Sequence, residues 1–491
     1  LASEPAIVPL SSDCHSSCPS LRWRSLYREA GLYKAAVRLY TKPLFSWRKA
    51  LFASTDKRDL YDFARHGLHN LADIHRSLTR ESFSSRPAVV LHRNFRGKPR
   101  TLFVYPWEER LVDLLLYRLL SSRLHQWFSP NSYAYRLRGF GLDRCQRKLA
   151  ALLGTAAKLL FVVKRDIASY FPSIPHEPLL AQLRSLIDPS DFLFHLLEER
   201  VRFLYEENGQ SFRATQGIAF GTPTACFLAN LYLTPLDRKL DSVPDLHYFR
   251  YADDFLLLSP SRNSIDLALR YFDESLHELR LRSKSSHERN LFLSNLPDPS
   301  SAPSFEPASR LRHLGLEFVA DGSVRLSRDK SRKICNVFRF AFRRKRAKLA
   351  RILDPRKRAQ FAVEIARHAL EQSVRNVAVI DYYLKHVTDE SQLQLIDRWL
   401  AEEVLSIAFR GGHKKSYFRQ MPFRSLRAMG LPSLVHRRRQ IQHGQIAAPF
   451  FVWKRYQTQK SSRETAVRLR PPQADQAAFS PSPEATAIPS S

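Results

Sequence analysis

Two aspartates stand side by side at positions 253 and 254, between the short apolar runs His247–Tyr251 and Phe255–Leu258. Runs of that length predict two antiparallel strands joined by a tight turn at Ala252-Asp253-Asp254. Adjacent carboxylates on buried strands are costly unless something cationic meets them. A polar hairpin tip would account for the pair taken alone. A third acid, Asp166, ends the apolar stretch Leu159–Val163 and opens Asp166-Ile167-Ala168-Ser169-Tyr170-Phe171. Strand-borne carboxylates of this kind can hold two Mg²⁺ ions roughly 3.5–4 Å apart. Oxygen ligands suit Mg²⁺, with Mn²⁺ as the alternative ion, and the site needs no His or Cys.

Around these acids the chain is strongly basic. Its 78 Lys and Arg outnumber 47 Asp and Glu, for a net charge of +31. Such an excess points to a polyanionic partner, with nucleic acid the first candidate. No run of about 18 apolar residues marks a membrane span. No basic stretch followed by an apolar one marks a secretory signal, so a cytoplasmic protein with no membrane partner is expected. Five irregularly placed cysteines do not make a disulfide framework. The first residue is Leu1 rather than Met, which leaves the natural start open.

The flanking patterns divide the chain. Residues 1–85 are expected to be a basic helical region after a loose Ser/Pro-rich start. Residues 88 to 105 alternate around Gly97-Lys98-Pro99, a hairpin signal. Helical spacing follows over 107–127 and 176–207, and again from Pro223 through Leu240. A Ser/Pro-rich loop is expected over 294–309, then a hairpin at Asp321-Gly322. Residues 327 to 403 are helical in pattern, with clusters at Arg343-Arg344-Lys345-Arg346 and Arg356-Lys357-Arg358. Residues 404–460 interleave basic and aromatic residues, as in Tyr417-Phe418-Arg419 and Arg437-Arg438-Arg439, which suits folded RNA or single strands. Residues 461–491 are Pro/Ala/Ser-rich and expected to be disordered.

In this order the segments resemble the motifs of reverse transcriptases. Arg93–Arg110 looks like the fingers motif, and Ser132-Tyr133-Ala134-Tyr135-Arg136 like the motif that follows it. Val163–Ile174 resembles palm motif A and Gly217–Asp237 motif B. Tyr251–Asp254 resembles motif C, and Leu314-Gly315 the primer grip. The resemblance implies an α+β right-hand polymerase: fingers and a palm with an antiparallel sheet over 86–325, and a helical thumb over 326–403. Basic helical extensions flank both ends. By the same resemblance Asp166, Asp253 and Asp254 are catalytic and hold two Mg²⁺ ions. Arg93 and Arg100 bracket the incoming triphosphate, where guanidinium groups bind phosphate well. Phe171 is the bulky gate against a 2′-hydroxyl, Phe220 and Gly221 touch the nucleotide, and Lys284 stands where the family has a lysine beside pyrophosphate.

Phe220-Gly221 departs from the common Gln-Gly of the family. An apolar residue there resembles prokaryotic, non-retroviral reverse transcriptases, including those of diversity-generating retroelements and of abortive-infection or other defence systems. Thr224-Ala225-Cys226 lacks the Ser-Gln typical of the diversity-generating group. The implied activity is RNA-directed DNA synthesis from dNTPs on an RNA template or a dedicated structured noncoding RNA, with DNA as product. Template-independent or protein-primed synthesis by the same fold stays open, as does a catalytically silent RNA-binding scaffold.

Overall fold

The structure is a computed structural model that describes residues 29–41, 56–95, 98–136, 139–155, 159–294, 305–371 and 374–446. The expected loose start and the disordered tail over 461–491 lie outside these residues. The strands, in chain order, are β1 (Ala88–Phe95), β2 (Lys98–Val104), β3 (Leu159–Asp166), β4 (Leu204–Glu207), β5 (Gln210–Arg213), β6 (His247–Tyr251), β7 (Asp254–Ser259), β8 (Arg289–Ser294), β9 (Glu306–Ala308), β10 (Arg310–His313), β11 (Leu316–Val319) and β12 (Val324–Leu326). They form three sheets, ordered β2-β1-β4-β5, β6-β7-β3-β8-β9 and β10-β11-β12. The architecture is that of the right hand: a fingers sheet, a palm sheet, and a helical thumb from Arg328 onward.

The palm sheet is buried on both faces, and the period of two along its strands shows why. Val163, Phe255, Leu257 and Tyr248 pack into one core, which also takes the helices Trp107–Arg123 and Pro223–Tyr232. Their neighbours Val162, Leu256, Leu258 and Phe249 pack into a second core with the β10–β12 sheet and the thumb helices. Strand β3 is therefore apolar from Leu159 to Val163, and β7 from Phe255 to Leu258.

Several helical expectations break where the chemistry demands it. The 176–207 stretch becomes the helices His176–Arg184 and Phe192–Val201 and then strand β4. Pro189 lies between the helices, and the Asp191 carboxylate caps the second by accepting from Leu193 N at 2.9 Å. The run after Pro223 splits at Pro235 into Pro223–Tyr232 and Thr234–Asp241. Within the expected 294–309 loop, Glu306–Ala308 pairs parallel with β8. The hairpin expected over 88–105 forms as β1–β2, and that at Asp321-Gly322 forms as β11–β12. No helix among the described residues is long and apolar enough to cross a membrane.

The basic C-terminal segment does not stand apart. Arg437 pairs with the buried Asp381 and Arg438 with Glu390, while Asp397 accepts from Ser433 Oγ and Leu434 N. These contacts fasten helix Leu434–Gln442 to the thumb helices Val374–His386 and Glu390–Ala408. Tyr417 is buried and stacks on Phe409 at 4.7 Å. Arg437, Arg438 and Tyr417, expected on an RNA-facing surface, are used inside the fold instead. Arg358 is likewise buried, its guanidinium donating to the carbonyls of Ile352 and Ala408. Lys414, Lys415, Arg419, Arg424 and Arg427 remain exposed.

Beneath the palm hairpin lies a fully buried ion pair, Arg250 with Asp237. Breaking such a pair from one side leaves a bare charge in the core. Asp237→Ala is expected to cost about 3–5 kcal/mol of stability. The double variant Asp237→Ala/Arg250→Met should recover part of that loss, as read from urea midpoints at constant m-value.

Candidate active site

The Asp253-Asp254 turn is built from the strands outward. Tyr251 pairs with Asp254, which leaves Ala252 and Asp253 as a two-residue loop. Ala252 takes φ +62°, a left-handed conformation costly for any residue with a Cβ. Its carbonyl accepts from Arg250 Nη1 at 3.2 Å, and the same nitrogen donates to Asn230 Oδ1 at 2.8 Å. Arg250 also donates through Nε to Asp237 Oδ1 at 2.8 Å. On its outer side, Arg250 N donates to Asn131 O and Arg250 O accepts from Tyr133 N, each at 2.9 Å. The Ser132–Arg136 segment thereby becomes a brace for the hairpin.

Asp166 stands directly opposite Asp254 at the end of the β3–β7 ladder. One residue on, Ile167 N donates to Asp253 O at 3.3 Å. The three acids thus occupy adjoining strand ends. Lys284, distant in sequence, is brought to them: its N donates to Asp166 O at 2.7 Å and its Nζ lies 3.9 Å from Asp166 Oδ2. Lys164, two residues before Asp166, shares its face of the sheet. Its Nζ donates to Arg312 O at 2.6 Å.

The acids are poorly compensated. Burial, with repulsion from Asp166, pushes Asp253 up to about 6 despite Arg100 and Lys284 nearby. Burial also pushes Asp254 up to about 6, with Lys164 pulling the other way and the two neighbouring acids adding to the rise. His313 lies 4.0 Å from Asp254 but is fully buried, and burial pushes its imidazole down to about 3. It is therefore a neutral neighbour, not a counter-ion.

A wall of rings borders the acids. Phe171 is buried, with Phe220 at 5.0 Å and Tyr135 at 6.2 Å, both edge to face. Gly217 makes this possible. Its φ is +80°, and a Cβ there would come 2.9 Å from Pro172 O. Gly217 N donates to Ile174 O and Ile218 N to Phe171 O, which seats the motif B loop on the Phe171 turn. Phe220 O accepts from Phe103 N at 3.2 Å and so joins the loop to β2. Gly221, at φ +110°, follows beside Leu102. Arg100 lies over Phe220, with 5.5 Å from its Cζ to the ring centroid. Arg93 is its cross-strand partner on the exposed edge of the hairpin and joins the group only through it.

Leu314 and Gly315 form the two-residue loop between β10 and β11, at φ +46° and +89°. Positive φ at both positions is the turn that suits hairpin twist, yet it is one that Asn-Gly fills more cheaply than Leu-Gly. Lys164, His313, Tyr135 and Arg250 were not nominated for the site by the sequence. Lys164 carried a signal in its place two residues from Asp166 on a strand, and Tyr135 in its place within the Ser132–Arg136 motif.

Among the described residues no three His, Cys, Asp or Glu side chains close around one point as a ready-made metal cage. The donor set nevertheless fits Mg²⁺, which is bound through one or two carboxylates while waters and substrate phosphates fill the rest. Residues 97–290 match the family described as reverse transcriptase (RNA-dependent DNA polymerase). That match makes this part of the chain similar to a reverse transcriptase domain. No curated protein matches it. Among solved structures it is similar to apo telomerase from Candida tropicalis truncated from its C-terminal domain. There the TM-score is 0.37 at 12% identity, over 53% of this chain and 60% of that one. It is also similar to telomerase from Candida albicans in complex with a TWJ fragment of telomeric RNA, with TM-score 0.40 and 10% identity, over 74% and 68%. The chain thus spans less than two thirds of the first of these, and likeness this distant does not bear on what it binds.

The raised acids fix a pH dependence. Between the ordinary Asp value of 3.8 and about 6, the folded protein binds more protons than the unfolded chain. These groups therefore lower stability as pH rises through that window. In metal-free buffer, Asp253→Asn/Asp254→Asn is expected to melt above wild type at pH 8. The gain should vanish at pH 4, where the wild-type acids are protonated, and calorimetry at both pH values checks it.

Proposed function

We propose that this chain is an RNA-directed DNA polymerase that joins a dNTP to a primer 3′-hydroxyl. The observation that carries this reading is the meeting of Asp166, Asp253 and Asp254 on adjoining strand ends, beside Lys284 and under the Arg100–Phe220–Phe171 wall. Asp166 and Asp253 would hold two Mg²⁺ ions, with Asp254 as the supporting acid. Bound there, the metals would acidify the attacking hydroxyl and offset the charge of the leaving pyrophosphate. Arg100 and Arg93 orient the triphosphate, and Lys284 stands by the acids as a proton donor to pyrophosphate. Phe171, held edge-on by Phe220 and Tyr135, fills the space a 2′-hydroxyl would need.

The exposed cations Arg343, Arg344, Lys345 and Arg346, with Arg356 and Lys357, supply a thumb surface for the primer–template backbone. A structured RNA as template or cofactor fits the net charge of +31. Phe220 in place of Gln supports a prokaryotic, non-retroviral subtype of the kind found in retroelements and defence systems.

Purified protein with Mg²⁺, labelled dNTPs and primed poly(rA) is expected to incorporate label only when template is present. Incorporation without template would replace this reading with template-independent synthesis, and none with any divalent metal would leave an RNA-binding scaffold. Asp166→Asn and Asp253→Asn should each lower incorporation by about 10²–10³-fold or more. Phe171→Ala should raise the efficiency of ribonucleotide relative to deoxynucleotide insertion by about 10–100-fold, read as the ratio of kcat/KM values.

A further inference from the structure

We propose that Gln146 is a positioning residue that ties the Leu314-Gly315 turn to the thumb, so that placement of the primer end follows thumb position. The proposal rests on the polymerase reading above.

Gln146 lies on helix Leu142–Thr155, is 1% exposed and uses both ends of its amide. Its Nε2 donates to Leu314 O at 3.1 Å, and its Oε1 accepts from Tyr382 Oη at 2.7 Å. Tyr382 belongs to thumb helix Val374–His386 and is also 1% exposed. The next residue of that helix reaches the same turn from another side. A Cβ on Gly315 would come 3.0 Å from Tyr383 Oη and 2.6 Å from Lys330 Cε. Two consecutive thumb tyrosines thus address the turn, one directly and one through Gln146.

A second contact joins the same two helices. Asp143, just before Gln146, lies 2.8 Å from Lys385 Nζ and 3.1 Å from His386 Nε2. The two helices are therefore latched at both the buried amide and the half-buried acid. The turn itself needs holding, because Leu314 sits at φ +46°, a conformation its neighbours must maintain. Buried polar groups keep their partners. If the thumb shifts, Gln146 either carries the Leu314 carbonyl with it or leaves a buried group without its bond. That makes the amide a mechanical link, not a packing element that an apolar side chain could replace.

Two variants separate the two bonds. Tyr382→Phe cuts the thumb link and leaves the bond from Gln146 to Leu314 O. Gln146→Met removes both at similar volume. Primer extension on a fixed template with excess trap DNA reads the nucleotides added per binding event. Single-nucleotide insertion reads KM and kcat for dNTP. Tyr382→Phe is expected to shorten extension by about three- to tenfold, the range one lost hydrogen bond spans, with dNTP KM unchanged. Gln146→Met should do the same and also raise KM for primer–template. Wild-type extension lengths in Tyr382→Phe overturn the proposal, as does a loss that falls equally on dNTP KM. If Gln146→Met does not fold, Tyr382→Phe decides alone. A wild-type protein inert on every primed template overturns the polymerase reading itself, and this proposal with it.

Discussion

The buried pair of Arg250 and Asp237 is the constraint on which the rest of the site depends. A guanidinium with no exposure is tolerable only if its donors are met, and here they go to Asp237, Asn230 and the carbonyl of Ala252. Each partner lies on a different piece of the site. Asp237 is on helix Thr234–Asp241 at the end of motif B, Asn230 on the preceding helix Pro223–Tyr232, and Ala252 in the turn that carries the acids. One side chain therefore ties the two helices of motif B to the aspartate hairpin. Asn230 extends the link by donating to Ala134 O at 2.8 Å, next to Tyr135 and its contact with Phe171.

The palm sheet adds a second constraint. Its residues alternate between two cores, one shared with fingers and motif B helices, the other with the β10–β12 sheet and the thumb. Any tilt of the sheet is felt in both. Asp166 and Asp254 have the parity of Val162 and Leu256, so they lie on the thumb side, where Lys164 and His313 are found. Asp253, in the loop, faces Arg100 from the fingers. The acids stand where the two packed halves meet.

Much of this was legible in the sequence because strands and turns leave local signals. The three apolar runs, the double acid, Gly217 and Leu314-Gly315 all sit in elements whose period or turn chemistry can be read residue by residue. What was not legible depends on tertiary crossing. Nothing local says that residues 282–284 run beside 166–168, yet this brings Lys284 to Asp166. Nor does a charge run say which way it points. Arg437 and Arg438 read as a nucleic-acid surface, but Asp381 and Glu390, about 50 residues earlier, take both. The helix expected over 176–207 failed for a local reason, since Pro189 and the Asp191 cap were in plain view. The strand that followed it was fixed from outside, by pairing with β1.

The charge distribution sets the acids apart from the rest of the chain. In a chain of net charge +31, the acids occupy a patch that its own cations do not neutralise. Lys164 donates to the Arg312 carbonyl, Arg165 to Asn290 Oδ1, and Arg100 lies over Phe220. The Lys284 ammonium comes no nearer to the Asp166 carboxylate than 3.9 Å. With many cations available, selection for stability alone would have put one between the carboxylates or replaced them with apolar residues, since buried like charges cost free energy. On the proposed reading, a basic exterior would attract a polyanion, and the acidic centre would repel it unless divalent cations accompanied the phosphates. An attractive surface around a repulsive, oxygen-rich centre is the arrangement that phosphoryl transfer with metal-bound nucleotides requires.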